Sequence, residues 1–267
     1  MMMRLHLPVV LPFLIAIGCT PLVTPQLKQI RGNIVQNDIS IRAPFATNPV
    51  IQVFTELGQA AGADRSKIYI AISKHPLIQA GSVGDHHFLV SWPLLQSTDP
   101  CLIWGIVAHE IAHDLLGHSE KMAGAQVATS QVAVPFHPAA LILVPAQILA
   151  RQMILSSYGR SHEEEADERA LELLQKAGKP AGAMRYGLEF MREAHGDTGG
   201  GWFSTHPVTS ERITSVPDLD RGELCASPDE RQAAIEAERA VAKRLKEAEE
   251  RKKQDAPKER ADERKSD

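Results

Sequence analysis

The sequence lacks the features that mark a nucleic-acid-binding protein. Its 29 lysines and arginines are outnumbered by 33 aspartates and glutamates, which gives a formal net charge of -4, and aromatic residues make up only 5% of the chain. A basic patch interleaved with aromatic residues is missing, and we therefore expect no nucleic-acid partner. The apolar fraction of 43% is enough for one sizeable hydrophobic core.

A long uninterrupted apolar run is also missing from the interior of the chain. The most apolar internal region, residues 132–155, contains Pro135, Pro138 and Pro145, which interrupt any continuous helix. The sequence thus argues against a transmembrane span there. Two interpretations stay open for this region: a buried helical hairpin, or a hydrophobic surface or lid that meets a membrane or an unfolded polypeptide.

Cysteines are few, and the first of them stands at a distinctive place. The first 18 residues carry Arg4 and then an apolar run from Leu7 to Ile17, and the small residues directly before Cys19 resemble a bacterial lipobox. We therefore expect residues 1–18 to be a lipoprotein signal peptide and Cys19 to be the lipidated first residue, with an ordinary cleaved signal or an uncleaved anchor as the alternatives. Because Thr20 stands where inner-membrane retention would favour aspartate, the analogy favours the outer membrane, facing the periplasm.

Cys101 and Cys225 are the other two cysteines. An oxidising compartment would permit them to form a disulfide. A buried free thiol at Cys101 explains the sequence equally well, because the residue lies in an apolar stretch.

The most informative stretch of the chain is the pentamer HEIAH. On a helix its histidines, His109 and His113, project from one face, where two imidazoles can hold a zinc ion. Glu110 points toward the water that such an ion would carry, and it is the candidate general base. Asp99 as a cap and Pro100 at the first helical position predict where this helix begins, and apolar residues at helical spacing predict that it is buried.

A second acidic cluster lies downstream, in the run SHEEEAD at residues 161–167. Ser161 is the predicted cap of a helix, with Glu164 as its capping-box mate. A third metal ligand could lie in this cluster, where Glu163 and Asp167 lie four residues apart on one helix face. Two histidines and one carboxylate would leave a fourth position for water, as in hydrolytic zinc sites. The alternative is that these acids only decorate an exposed helix face.

The pairing of HEIAH with EEEAD resembles the HtpX and CAAX-prenyl-endopeptidase family of zinc metallopeptidases, within the gluzincin group. In that family the glutamate four residues before the aspartate is the third zinc ligand, which implies Glu163 here. The aspartate, here Asp167, is the partner of a ligating histidine. His118 and the segment THP at residues 205–207, followed by Arg212, are further matches.

The resemblance, which covers the chain from about residue 45 to residue 216, implies a zinc metalloendopeptidase. It would hold one Zn2+ per chain through His109, His113 and Glu163, while Glu110 takes a proton from a zinc-bound water that attacks the scissile carbonyl. His206 would stabilise the oxyanion or occupy the open zinc position at rest, or it would only stabilise a turn. By family analogy the polypeptide substrates are misfolded or unassembled proteins of the cell envelope.

Two alternatives come from other functional classes. One is a zinc-containing envelope chaperone or assembly factor with little proteolysis. The other is a zinc hydrolase that acts on a non-peptide bond.

The expected fold is α+β and predominantly helical, a zincin-like metallopeptidase domain with a small β-sheet beside the active-site helix. The predicted organisation is a signal peptide at 1–18, a tether at 19–45, a zinc metallopeptidase domain at 46–227 and a charged helical or disordered tail at 228–267. The tail is predicted to be a solvated helix that frays after Pro257, because alanine and charged residues dominate it.

Smaller elements are predicted from local patterns. A helix from about Asn48 ends at Gly62, and the stretches KIYIAIS (67–73) and HHFLVSWPLL (86–95) predict two strands separated by a glycine-marked turn at 81–84. Within the second strand, residues 88–91 are assigned as the edge to which an extended substrate adds itself, with an ordinary sheet strand as the alternative. His86 and His87 are predicted to be turn or surface residues. A further helix at about 181–194 carries a core stripe.

Overall fold

The computed structural model of the chain describes residues 24–123, 159–196 and 206–263. The predicted signal peptide, Cys19, the apolar region 132–155 and the glycines before His206 lie outside these residues. The helices are α1 (Pro25–Gln36), α2 (Pro49–Ala61), α3 (Trp92–Leu95), α4 (Pro100–Leu115), α5 (Arg160–Lys176), α6 (Ala183–His195), α7 (Ser210–Ser215) and α8 (Pro228–Glu263). The strands are β1 (Tyr69–Ser73), β2 (Ala80–Ser82) and β3 (His87–Ser91).

Helix α4 lies at the centre of the fold. Its start is as predicted: the Asp99 side chain accepts hydrogen bonds from the backbone amides of Cys101 and Leu102, and Pro100 occupies the first turn. Helices α2, α5 and α6 and strand β2 pack around it, so that nearly all of its residues are buried. The crossing with α6 is close, because a Cβ atom at Gly105 would lie 2.4 Å from the carbonyl oxygen of Ala183.

Within the described residues the sheet has three strands in the order β1-β3-β2, with β1 parallel and β2 antiparallel to β3. Strand β3 is therefore central, and the assignment of residues 88–91 as an edge strand is wrong. The edge strand that packs against α4 is β2, which lies partly in the predicted turn. The prediction of a single strand through residue 95 is also wrong, since Ser91 caps helix α3, whose second residue is a proline.

Part of the predicted tether is a packed helix. Thr24 caps α1, and Leu27, Ile30 and Ile34 are buried in a small cluster with residues of the sheet. The Arg31 side chain fixes this helix, because it pairs with Glu120 and donates to the carbonyl oxygen of Val83.

The first part of the predicted tail also belongs to the domain. Ile235 of α8 is fully buried, and the bidentate ion pair between Arg231 and Glu193 joins α8 to α6. The buried Glu238 carboxylate accepts a hydrogen bond from the Ile78 backbone amide at 2.5 Å, just before β2. The helix also continues to Glu263, beyond the expected end of order at Pro257, which lies inside it.

Two local predictions are settled by the termini of α4 and α5. Helix α5 begins at Arg160 with Gly159 as its N-cap and no side-chain cap, so the capping role of Ser161 is wrong. Cys101 and Cys225 form a disulfide, which links the first turn of α4 to the segment before α8.

The predominantly helical α+β fold, with a small sheet beside the HEIAH helix, is confirmed. Within the described ranges, no helix combines the length and the apolar character needed to cross a lipid bilayer.

Candidate metal centre

Four buried side chains from three parts of the chain meet beside α4. His109 and His113 project from successive turns of α4, with their Nε2 atoms 2.9 Å apart. Helix α5 contributes Glu163, and the segment before α7 contributes His206, whose Nδ1 lies 3.0 Å from Glu163 Oε1. One donor atom from each residue lies within 4.8 Å of the others. The structure thus brings together the three predicted zinc ligands and His206.

Asp167 contacts the first histidine of the motif. Its Oδ1 lies 3.0 Å from His109 Nδ1, which directs His109 Nε2 toward the centre of the cluster. Burial alone would lower the pKa of His109, but the carboxylates of Asp167 and Glu163 outweigh it and raise that pKa to about 9. The same contacts act in reverse on Asp167. Its burial favours the neutral form, yet His109 and Arg212 hold its pKa below the ordinary value.

Burial acts in opposite directions on the pKa values of two further cluster residues, His113 and Glu163. Burial and the nearby His109 and His206 hold the pKa of His113 well below its usual value. For Glu163, burial would raise the pKa, but contacts with the surrounding histidines bring it well below the ordinary range. These shifts favour an ionised Glu163 and a neutral His113, which are the forms that bind a metal, whereas His109, with its raised pKa, would release a proton on metal binding.

Glu110 lies at the edge of the cluster with both carboxylate oxygens engaged. Its Oε2 accepts a hydrogen bond of 2.9 Å from the backbone amide of Ser82, the last residue of β2. Its Oε1 lies 3.3 Å from His206 Nε2. Strand β2 and the candidate general base, Glu110, are therefore in direct contact.

The donor set fits a divalent ion of borderline softness. Imidazole nitrogens together with one carboxylate oxygen are the ligands of catalytic zinc sites, whereas calcium and magnesium prefer oxygen ligands. His109 and His113 place two ring nitrogens at 2.9 Å, and the negative charge of Glu163 faces both. A cation between these atoms would satisfy all of them.

The comparisons with known proteins agree with this geometry. The sequence profile described as Peptidase family M48 matches residues 46–219, well over half of the 267 residues. The chain belongs to peptidase family M48. It is also 30% identical, over 121 residues, to the protein named Metalloprotease YcaL of Escherichia coli strain K12; the match covers 43% of this chain and 48% of that relative. The chain thus spans about half the length of the curated relative that it matches.

In this M48 chain, Arg212 is a site residue whose role the sequence did not reveal. The resemblance included it as a match without a function. It is buried, and its guanidinium contacts Asp167, Glu163 and the carbonyl oxygen of Pro207. Because the two carboxylates lie 45 and 49 positions away from Arg212 in the sequence, no local spacing could have predicted these ion pairs.

His118, another match to the family pattern, lies behind the cluster. Its Nδ1 is 2.8 Å from His113 Nδ1, and its ring lies beside that of His162. Burial and the neighbouring His162 lower the pKa of His118 to about 4, so it is neutral at physiological pH. His118 therefore contacts the second histidine of the motif from the side opposite the cluster.

His86 and His87 occupy different environments from each other. His86 is in the predicted turn, at a positive φ of 60°, and its ring nitrogen Nδ1 lies 2.6 Å from Asp114 Oδ2 at the end of α4. His87 begins β3, where it is buried and stacks on Tyr69, so the prediction of a turn or surface position is wrong for it. Neither histidine belongs to the metal cluster.

Proposed function

We propose that the chain is a zinc-dependent endopeptidase. The observation that carries this proposal is the buried cluster of His109, His113, Glu163 and His206, with the carboxylate of Glu110 beside it. Membership of peptidase family M48 supports the same reaction class. One Zn2+ per chain would be held by the two HEIAH histidines and Glu163.

The chain's own residues then divide the work of peptide hydrolysis. Bound zinc would supply Lewis-acid polarisation of the scissile carbonyl and lower the pKa of water. Glu110, held by the Ser82 amide, accepts a proton from the attacking water and passes it to the leaving amine. Asp167 keeps His109 in the required orientation through its 3.0 Å contact.

We assign substrate alignment to strand β2 in place of the residues suggested by the sequence. An extended polypeptide can pair with an exposed strand edge through backbone hydrogen bonds. One side of β2 pairs with β3, and its last residue, Ser82, reaches Glu110. A substrate beside β2 would therefore present its backbone near the general base. Misfolded or unassembled envelope proteins are the proposed substrates.

We further propose that the protein is an outer-membrane lipoprotein facing the periplasm, anchored at Cys19. Support comes from the sequence before α1 and from the position of that helix: α1 begins at Pro25, six residues after the cysteine. Six extended residues reach about 20 Å, which would keep the domain close to the bilayer. Palmitate labelling should vanish in Cys19→Ala, and labelling that persists would rule out the anchor.

Glu110→Gln tests the proposed activity. The variant should bind zinc at wild-type stoichiometry but lose peptide cleavage, because the amide cannot accept the proton. Zinc is measured by metal analysis and cleavage by digestion of a denatured protein such as casein. Glu164→Gln, an exposed change on α5, is the matched control and should keep both properties. Cleavage by Glu110→Gln at the wild-type rate would refute the mechanism. Full rescue of a deletion strain by this variant would point instead to a chaperone or assembly function.

A further inference from the structure

Arg212 is among the largest fully buried side chains of the described residues, and its position is set by a carboxylate on another helix. Its Nε donates to Asp167 Oδ2 at 2.8 Å and its Nη2 to Asp167 Oδ1 at 2.7 Å. This parallel pair of bonds matches the planar guanidinium fork to the planar carboxylate. Asp167 is also the partner of His109, so this carboxylate links Arg212 to the first histidine of the metal cluster.

The remaining guanidinium nitrogen, Nη1, joins two further parts of the site. It lies 2.5 Å from Glu163 Oε2 and donates to the carbonyl oxygen of Pro207 at 2.8 Å. Glu163 is the cluster donor from α5, and Pro207 directly follows His206 in the chain. The single nitrogen Nη1 therefore links Glu163, the carboxylate of the metal cluster, to the backbone next to His206.

The contact also orients the Glu163 carboxylate. With Oε2 directed toward Arg212, the other oxygen, Oε1, faces His206 Nδ1 at 3.0 Å and His113 Nε2 at 3.5 Å. Oε2 still lies 3.4 Å from His109 Nε2. Oε1 thus faces the rings of His206 and His113, while Oε2 lies between the Arg212 guanidinium and the His109 ring.

We propose that Arg212 is a positioning residue that couples Glu163 to His206. By holding Glu163 and the Pro207 carbonyl with one nitrogen, it makes the ligand geometry and the placement of the His206 segment depend on each other. The inference rests on the proposed function in that the cluster binds zinc. A residue that only neutralised the charge of Asp167 could be replaced by lysine, whereas this role needs the planar fork.

The test is Arg212→Lys, which keeps the charge but cannot make all of these contacts. The zinc dissociation constant, measured by chelator competition, should rise about 10- to 100-fold, as for other residues that orient metal ligands. In zinc-free protein, hydrogen exchange of a peptide covering residues 206–215 should become faster than in wild type. The turnover number should fall more than the Michaelis constant changes.

Arg185→Lys is the matched control. Arg185 also bridges a carboxylate and a backbone carbonyl, through Glu189 at 2.9 Å and Val216 at 3.3 Å, but neither partner belongs to the cluster. The Arg185→Lys variant should leave the zinc affinity and the hydrogen exchange of residues 206–215 unchanged. If Arg212→Lys does not fold, Glu163→Ala replaces it, and coupling requires faster exchange at 206–215 in that zinc-free variant.

The proposed coupling is wrong if Arg212→Lys binds zinc with wild-type affinity. It is also wrong if hydrogen exchange at residues 206–215 stays at the wild-type rate in the variant that is used. The test of the Arg212 coupling can be distinguished from the test of the proposed endopeptidase function. If the wild type binds zinc but cleaves no peptide, the endopeptidase proposal fails, while zinc affinity and exchange still decide whether Arg212 links Glu163 to His206. If the wild type binds no zinc, exchange in the zinc-free protein decides it.

Discussion

His206 uses both ring nitrogens at the cluster. Its Nδ1 lies 3.0 Å from Glu163 Oε1 and 3.3 Å from His109 Nε2, while its Nε2 lies 3.3 Å from Glu110 Oε1. It therefore faces both the proposed ligands and the proposed base. These contacts are compatible with two of the roles considered from the sequence, oxyanion stabilisation and occupation of the open metal position at rest.

His206→Ala separates these roles. If the imidazole stabilises the oxyanion, hydrolysis should fall about 100- to 1,000-fold with zinc content retained. If it occupies the open position at rest, the variant should bind zinc more weakly and hydrolyse a short peptide at least as fast as wild type. Zinc titration and steady-state kinetics measure both. If both zinc affinity and hydrolysis are unchanged, both roles are excluded. The remaining role of His206 would then be to stabilise the turn.

His86 predicts a pH-dependent contribution to stability. Its hydrogen bond with Asp114 outweighs partial burial and raises its pKa above the ordinary value of 6.5. The protonated form is thus favoured by folding. The stabilisation is complete below about pH 6.5, the unfolded pKa, and it is lost as pH rises through the higher folded pKa. The free energy of unfolding in urea, measured on metal-free protein, should fall over this window in wild type and less so in His86→Gln. Equal slopes in both proteins would contradict the assignment.

The metal-site residues show which features a sequence can reveal. His109 and His113 are close because a helix turn makes them so, and Glu163 and Asp167 share a face for the same reason. These positions could be predicted from spacing, with the family resemblance joining the two helices. The role of Arg212 could not, since its carboxylate partners Asp167 and Glu163 are distant in the sequence and only packing brings them together with it.

At the scale of elements, helix caps that rest on local hydrogen bonds could be predicted from the sequence. Elements whose conformation depends on pairing with a distant part of the chain could not. Asn48 and Asp99 cap α2 and α4 through backbone amides two or three residues away, and this information is local. Strand β2 has the sequence Ala-Gly-Ser, which carries no strand propensity, and it is extended because it pairs with β3. The sequence did not predict helix α1, although Thr24 caps it and Pro25 occupies its first turn.

The packing of α8 predicts a role for Glu238 in holding the segment before β2. Glu238→Ala should lower the free energy of unfolding by about 1–3 kcal/mol, because the Ile78 amide would lose its acceptor in a buried place. Glu236→Ala is the matched control, since Glu236 is exposed and accepts a hydrogen bond from Gln232 on the same helix. Urea unfolding measures both variants. A loss in Glu238→Ala no larger than in the control would show that α8 does not secure this segment.

At the scale of the whole molecule, the Cys101–Cys225 bond spans 124 positions of the chain. Closing so long a loop restricts the unfolded chain and stabilises the fold by about 2–5 kcal/mol. Cys225→Ser should lower the melting temperature, and reducing agent should lower that of the wild type to a similar extent. Reducing agent should have no effect on Cys225→Ser. An unchanged melting temperature in the variant would mean that the bond contributes nothing to global stability.

The same bond has a consequence for the survival of the molecule among proteases. His109, His113, Glu163 and His206 all lie inside the covalent ring that it closes. A single cut anywhere between residues 102 and 224 would leave both fragments attached to each other. Such a nicked molecule would migrate as one band on a non-reducing gel and as two after reduction, with every residue of the metal cluster still tethered to the rest.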